Sequence, residues 1–323
     1  MKSPYRWMAT GIVAALALGA TACNRAGADS TTTATDGKPV TIGLAVANLQ
    51  ADFFNQIKTS VEAEAKKKGV KVIVADARGD AATQVNQIQD FISRQVSAIV
   101  YIPAGATAAG VPVKAAERAK IPVITVDRNP ADAPGKSFIA TDSVAAAKTL
   151  GEWVIKQKDG KGQLAVLQGQ IGTTPQVDRQ KGFGQALAEA PGIKVVSQQP
   201  ADWAQDKAYT VSQDMLQAHP GIDILWGQAD AMALGAAQAV KSADGKKRLI
   251  VGFDGDVAGL KAVRNGTIDA TMVQQTQKMG RMSVDTALDV INGKKVPATQ
   301  LQPAFLLTKD DSAKADQYIK THP

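Results

Sequence analysis

Ile121-Pro122-Val123-Ile124-Thr125-Val126-Asp127-Arg128 sets an apolar, β-branched run directly before an acid and a base. Such a short run, apolar on nearly every position, suits a strand buried on both faces, as in a parallel sheet. The same pattern recurs on either side. Upstream, Val40–Ala47, Val70–Ala75 and Ala98–Ile102 read as strands; Val123–Val126 is the core of the quoted stretch. Downstream come Gln163–Leu167, Ile193–Gln198, Ile222–Trp226, Leu249–Phe253 and Ala270–Gln274. Helical patterns separate them. Phe54, Ile57, Val61 and Ala65 fall at helical spacing, with Gly69 as the stop. Ala82–Gln95, Ala145–Lys156, Asp178–Glu189 and Ala208–Ala218 are further helices. Alternating strand and helix is the signature of α/β architecture, and so many units exceed one modest sheet. The expected fold is two doubly wound parallel-sheet lobes. In such sheets ligands bind beyond the carboxyl ends of the strands, which directs attention to residues such as Asp127 and Arg128.

Composition bounds the possibilities. The 323 residues carry 37 Lys and Arg against 30 Asp and Glu, a formal charge of +7. At 45% hydrophobic and 21% charged, the chain has ordinary globular character and length for two domains. Its single Cys excludes an intrachain disulfide framework, and His219 and His322, far apart, offer no His/Cys metal site. The basic residues are scattered, so no nucleic-acid partner is expected. No cofactor or metal is expected either.

The first 38 residues read differently. Lys2 and Arg6 precede an apolar stretch from Trp7 to about Ala20, too short for the roughly 20 residues of a membrane span. Ala20-Thr21-Ala22-Cys23 follows, so residues 1–22 read as an export signal cut before Cys23. Leu18 to Cys23 also resembles a bacterial lipobox, although Ala20 stands where Leu is usual. A lone thiol at that place favours lipidation of Cys23 over a free N-terminal Cys. Residues 23–38 are rich in Thr, Ala, Gly and Asp and read as a flexible tether. Loss of Lys2 and Arg6 lowers the charge from +7 to +5. The expected location is the periplasm or extracytoplasmic face, with a lipid anchor at Cys23.

Several strand ends carry groups that packing alone would not select. Asp127 and Arg128 end the quoted stretch, Asp254 ends Leu249–Phe253, and Gln274 ends Ala270–Val273. Arg179 lies on the helix after the strand that ends at Leu167. Any one of these is most simply a solvated loop charge or helix cap. As a set at strand ends they converge, and their chemistry suits sugars: carboxylates accept from hydroxyls, while guanidinium forks donate to several oxygens. Phe53, Phe54, Trp203 and Trp226 are candidate aromatic faces for the apolar side of a sugar ring.

These stretches make the chain resemble a ribose-type periplasmic sugar-binding protein, the substrate-binding component of an ABC transporter. The resemblance rests on Ile42-Gly43-Leu44 through Asp52-Phe53-Phe54, Ile121 to Arg128, and Leu167-Gln168-Gly169. It continues through Arg179 to Phe183, Gln199 to Trp203, Asp230 to Gly235 and Val251-Gly252-Phe253-Asp254-Gly255, covering Pro39 to Lys309. It implies two lobes joined by three crossover strands and closing on the ligand: residues 39–141 with 275–303, and 142–274 with 304–323. It further implies a monomer that delivers a small sugar or polyol to a membrane permease. By position, Asp127 and Arg128 would bind from the first lobe, and Arg179, Asp254 and Gln274 from the second lobe and hinge. Phe53, Phe54 and Trp203 would sandwich the ring, Trp203 replacing a more usual Phe.

Ribose binders present Ser and Asn where this chain has Ala47, Ala51, Ile102 and Ala229. Each change removes a hydrogen bond, which predicts discrimination against ribose in favour of fewer hydroxyls, another arrangement, or a bulkier apolar part. Asn48, Gln50 and Gln228 lie beside these positions, but alternation along a strand argues against simple replacement. Other readings fare worse. A sugar-responsive repressor would need a DNA-binding unit where the export pattern stands. Gly169-Gln170-Ile171-Gly172 lacks the spacing of a phosphate loop and reads as a turn. Asp127 and Asp254 imitate a glycosidase pair, but neighbouring guanidinium groups are expected to keep both ionised. Ser143 and His219 lack the context of a triad, so no enzyme is expected. A receptor presenting a sugar or furanose signal to a membrane sensor is the closest rival. Asn265-Gly266-Thr267 reads as a turn after a helix.

Overall fold

The alternation in the sequence becomes an alternation of strands and helices over residues 39–321, the residues described in this computed structural model. The export signal, tether and Cys23 lie outside the described residues. In chain order come β1 (Thr41–Val46), α1 (Asp52–Lys67), β2 (Lys71–Asp76), α2 (Ala81–Ser93), β3 (Ala98–Tyr101), α3 (Gly110–Arg118), β4 (Val123–Val126) and β5 (Ser137–Thr141). There follow α4 (Ser143–Gln157), β6 (Gly162–Gln168), α5 (Thr174–Ala188), β7 (Ile193–Pro200), α6 (Gln205–Ala218), β8 (Ile224–Gly227), α7 (Asp230–Ala243) and β9 (Leu249–Asp254). The last are α8 (Val257–Arg264), β10 (Ala270–Val273), α9 (Thr276–Ile291), β11 (Thr299–Gln302), β12 (Phe305–Thr308) and α10 (Ser312–Thr321).

The strands form two six-stranded sheets, ordered β11-β5-β4-β3-β1-β2 and β12-β10-β9-β8-β6-β7. Each is the centre of one α/β lobe, and the chain crosses between them after β5, after β10, and from β11 to β12. The first sheet is parallel in its recorded pairings. The second departs from the all-parallel expectation, because β12 runs antiparallel to β10. The reason lies in the crossing: β11 ends at the carboxyl edge of its sheet, and Pro303-Ala304 leads directly onward. The chain therefore enters the second sheet from its carboxyl edge and runs backwards along it.

Burial explains why these segments settle here. β1, β3, β4 and β8 are buried along nearly their whole length, as strands covered on both faces must be. The stripe of α1 buries Phe54, Ile57, Val61 and Ala65. Each such side chain contributes about 1.5–3 kcal/mol when large and fully buried. On the other face of the first sheet, Phe91 lies so close over Gly43 that a β-carbon there would sit 2.5 Å from its ring. The helices α2, α4, α5 and α6 all begin before the expected residue, two of them for a visible reason. Asp142 accepts from the Ala145 amide (3.1 Å) and starts α4 at Ser143, while Pro175 in the first turn of α5 moves its start back to Thr174. β5, β11 and β12 lie outside the expected strands; β11 is the polar edge segment Thr-Gln-Leu-Gln, which carries no apolar run.

Candidate functional site

The carboxyl ends of both sheets face one cavity of about 640 Å³. Ala47 and Asn48 come from the end of β1, Asp127 and Arg128 from β4, Gln170 from the turn after β6. Asp202 and Trp203 come from the loop after β7, Ala229 from that after β8, and Asp254 and Asp256 from the end of β9. The backbone there is strained. Asp127 (φ 61°), Asp202 (φ 50°), Trp203 (φ 67°) and Asp254 (φ 134°) lack a glycine's freedom yet take positive φ. Such residues cost about 1–3 kcal/mol each and persist where surrounding structure over-determines them, a pattern of functional sites. At Asp127 the cause is visible: the Arg128 amide donates to the Val126 carbonyl (2.6 Å), closing a three-residue turn that aims both side chains into the cavity.

Two acid–base pairs occupy the floor. Arg128 is 5% exposed; its Nε lies 3.5 Å from Asp127 Oδ2. Its Nη1 donates to the carbonyls of Pro103 (3.0 Å) and Ala104 (3.2 Å) and reaches Gln170 Oε1 at 3.4 Å. Arg179 is 3% exposed, with Nη1 3.2 Å from Asp254 Oδ1. The same nitrogen donates to the Gln228 carbonyl, and the guanidinium lies 3.9 Å from the Phe253 ring centre. The Trp203 ring is shared between the two cations, 5.8 Å from Arg128 and 5.4 Å from Arg179. Gln274 Nε2 donates to Asp254 Oδ1 (2.7 Å) and its Oε1 accepts from Thr141 Oγ1 (2.6 Å).

Burial governs the titration of this group. It pushes the Asp127 carboxyl up despite the attraction of Arg128 and Arg179. It pushes Asp254 up to about 7, against the pull of Arg179 and with the repulsion of Asp256 and Asp127 added. For Asp254 the expectation that the guanidinium groups hold the carboxylate ionised is thereby corrected: withdrawal from water outweighs the attraction. Asp230, fully buried, accepts from Thr271 Oγ1 (2.6 Å) and the amides of Gly255 (2.8 Å) and Asp256 (3.3 Å). It thus anchors the loop that carries Asp254. Its own carboxyl is pushed well above the usual range, chiefly by burial.

Beside the hinge bond of Thr141 to Gln274, hydrogen-bonded contacts cross from lobe to lobe at the cleft. The Asn129 amide donates to Thr174 Oγ1 (2.9 Å), which donates back to the Asn129 carbonyl (3.3 Å). Arg128 meets Gln170 as described, and the Val257 amide points to Asp52 Oδ2 at 3.3 Å.

Comparison with known proteins follows the same geometry. A model described as a periplasmic binding protein domain matches residues 42–295. The chain belongs to the periplasmic binding protein family. Its type is the ribose-type, type I branch: it is 35% identical to the ribose import binding protein of Bacillus subtilis (strain 168) over 273 residues, 84% of this chain and 88% of that one. It is 30% identical to the xylitol-binding protein of Mycolicibacterium smegmatis over 308 residues, 95% of this chain and 86% of the other. Among solved structures, an ABC transporter solute-binding protein from Bacillus halodurans with bound myo-inositol superposes with a TM-score of 0.82 at 28% identity. That superposition covers 89% of this chain and 99% of the other. These homologues are solute-binding proteins, and the family is extracytoplasmic.

In this periplasmic binding protein the expected site residues separate into two groups. Phe53, Phe54, Asp127, Arg128, Arg179, Trp203 and Asp254 line the cavity, as do the apolar positions Ala47, Ala51 and Ala229. Gln274 does not line it; it stands behind Asp254 and orients its carboxylate. Ile102 is fully buried in the core of the first lobe, and Trp226 is stacked on Phe183 at 3.9 Å in the core of the second. Gln228 is likewise buried, accepting from the Gly169 amide (2.9 Å), so it supports the site from beneath. Asn48 and Gln50 line the cavity, contrary to the alternation argument, because they lie past the end of β1 where strand periodicity no longer applies. Gln170, Asp52, Asp256 and Gln205 were not anticipated, although Gln170 lies in the Gly169–Gly172 turn at a strand end, where a polar residue is a readable signal. Asn265 closes α8, its Oδ1 accepting from the Thr267 amide (3.0 Å), the turn that was expected. Among the described residues no group of three or more His, Cys, Asp or Glu is placed to hold a metal ion. A wider groove of about 1160 Å³ lies at the opposite, amino ends of the first sheet, where its charged side chains, Lys71 and Lys120 among them, are exposed.

Proposed function

We propose that this chain is the exported substrate-binding subunit of an ABC importer, capturing a monosaccharide or a related polyol or deoxy sugar between its lobes and delivering it to a permease. The observation that carries this reading is the meeting of Asp127 and Arg128 from one lobe with Arg179 and Asp254 from the other around a single cavity. Such a set accepts from some hydroxyls and donates to others, which a neutral polyhydroxy compound requires. All contacts exist together only when the lobes are closed, so ligand shifts the population towards closure, and the closed pair presents the surface for a permease. The chemistry is reversible capture by a monomer with no covalent step and no cofactor. Cys23 would tether it to the membrane through a lipid.

The pocket's apolar positions refine the ligand. A buried hydroxyl left without a partner costs on the order of 1–3 kcal/mol, and Ala47, Ala51 and Ala229 offer none through their side chains. Ribose in the pose used by Ser- and Asn-bearing relatives is therefore disfavoured. Calorimetric titration with pentoses, hexoses, deoxy sugars and polyols tests both statements. At least one should bind tightly with ribose weaker; tight ribose binding would remove the discrimination, and no binding by any member would remove the sugar reading.

A further inference from the structure

The cavity is larger than a free monosaccharide needs. A hexose has about a dozen non-hydrogen atoms; if each took the room of a whole water in the liquid, about 30 Å³, the sugar would fill about 360 Å³. Of the 640 Å³ present, about 280 Å³ then remains, the room of about nine waters. The lining has two chemical characters. Asp127, Arg128, Arg179 and Asp254 make up the charged floor. Ala229, Ala231 and Leu234 at the start of α7, with Ala204 and Ala258, bring no polar side-chain atom of their own, while Asp52, Asp202, Gln205 and Asp256 line the cavity around them. Ala231 and Leu234 are three residues apart on a helix and so share one face, and both are only half-buried. An ordered buried water needs two to four polar partners, and the Ala231–Leu234 face itself offers none, so that face suits an apolar group.

We propose that the preferred ligand is a sugar carrying an apolar substituent, an alkyl or aryl glycoside whose aglycone has up to about nine non-hydrogen atoms. The sugar lies on the charged floor and the aglycone lies against the Ala231–Leu234 face. This inference rests on the sugar-binding reading above and narrows it.

The test is calorimetric titration of the purified exported chain with matched pairs: free pentoses and hexoses against the methyl and phenyl glycosides of the same sugars, both anomers. The expected result is at least one phenyl glycoside bound tenfold or more tightly than its free sugar. Ala231→Phe, and separately Ala258→Phe at an exposed position, fill the apolar part and should bring the ratio of the two affinities to about one or below. Thermal melts confirm that each variant is folded. If free sugars bind and no glycoside binds more tightly, the sugar-binding reading stands and this inference falls. If the glycoside advantage survives both filling variants, the assignment of the aglycone to this face is wrong. If neither free sugars nor glycosides bind, both readings fall.

Discussion

Asp254→Asn removes a charge whose burial the fold resists. In the folded protein the Asp254 carboxyl is pushed from an ordinary 3.8 up to about 7, burial being the main cause. A raised carboxyl pKa means that the folded state binds more protons than the unfolded chain between about pH 4 and 7, so stability falls as pH rises through that window. About three decades of proton affinity at about 1.36 kcal/mol each put the cost at about 4 kcal/mol above pH 7. Asparagine keeps the oxygen that matters: Arg179 Nη1 and Gln274 Nε2 both meet Oδ1, at 3.2 and 2.7 Å. The variant should therefore match the wild type near pH 4, gain on it steadily up to pH 7, and stay ahead by up to about 4 kcal/mol, or roughly 8 °C in Tm at about 2 °C per kcal/mol. The difference between the two stability curves isolates this residue from Asp127, Asp230 and Asp256, whose carboxyls burial also raises. Urea melts of ligand-free protein from pH 4 to 8 measure it. Ligand affinity should fall in the same variant, since a site that costs stability is exchanged for one that does not. Equal or lower stability of the variant at pH 8 would show that Arg179 outweighs burial and would overturn the ordering of effects argued above.

Arg179→Ala deletes charge-assisted hydrogen bonds of about 1.5–3 kcal/mol, which predicts a 10- to 140-fold rise in Kd by calorimetry. It should also lower Tm, because the Gln228 carbonyl and the buried Asp254 lose their partner; an unchanged Kd would remove Arg179 from the ligand site. Trp203→Ala should weaken binding and abolish the ligand-dependent part of tryptophan fluorescence, since Trp226 is sealed against Phe183 and Trp153, on α4, does not line the cavity; a surviving signal would place the reporter elsewhere. Thr174→Val keeps the side-chain shape but removes both hydrogen bonds to Asn129 across the cleft. At about 1 kcal/mol net, it should raise Kd about fivefold and shift small-angle scattering of the free protein towards a larger radius of gyration; no change in either would assign the closure energy to other contacts.

Reading from sequence reached far for the elements and less far for the site. The stripe Phe54, Ile57, Val61 and Ala65 and the run Ile121–Val126 announce their elements because periodicity is a local property and the burial it reflects repeats along one segment. Asp127, Arg128 and Asp254 are legible as site candidates for a related reason: nothing in packing asks for charge at the end of an apolar strand. Gln274 carries the same positional signal but stands behind Asp254, while Ile102, singled out by the resemblance alone, is buried in the core. Position along a strand does not encode the direction of the side chain once the strand has ended.

By itself, then, the amino-acid order determined the α/β class, the pairing of apolar runs with amphipathic helices, and the strand-end charges around which a ligand would collect. Only the tertiary structure decided the reversed direction of β12, the meeting of Asn129 with Thr174 and of Asp52 with Val257, and the elevation of Asp254 to about 7. Each of these depends on residues far apart in the chain: the cost of a buried carboxyl is set by how much water its distant neighbours exclude, and a contact between lobes exists only after both lobes have folded.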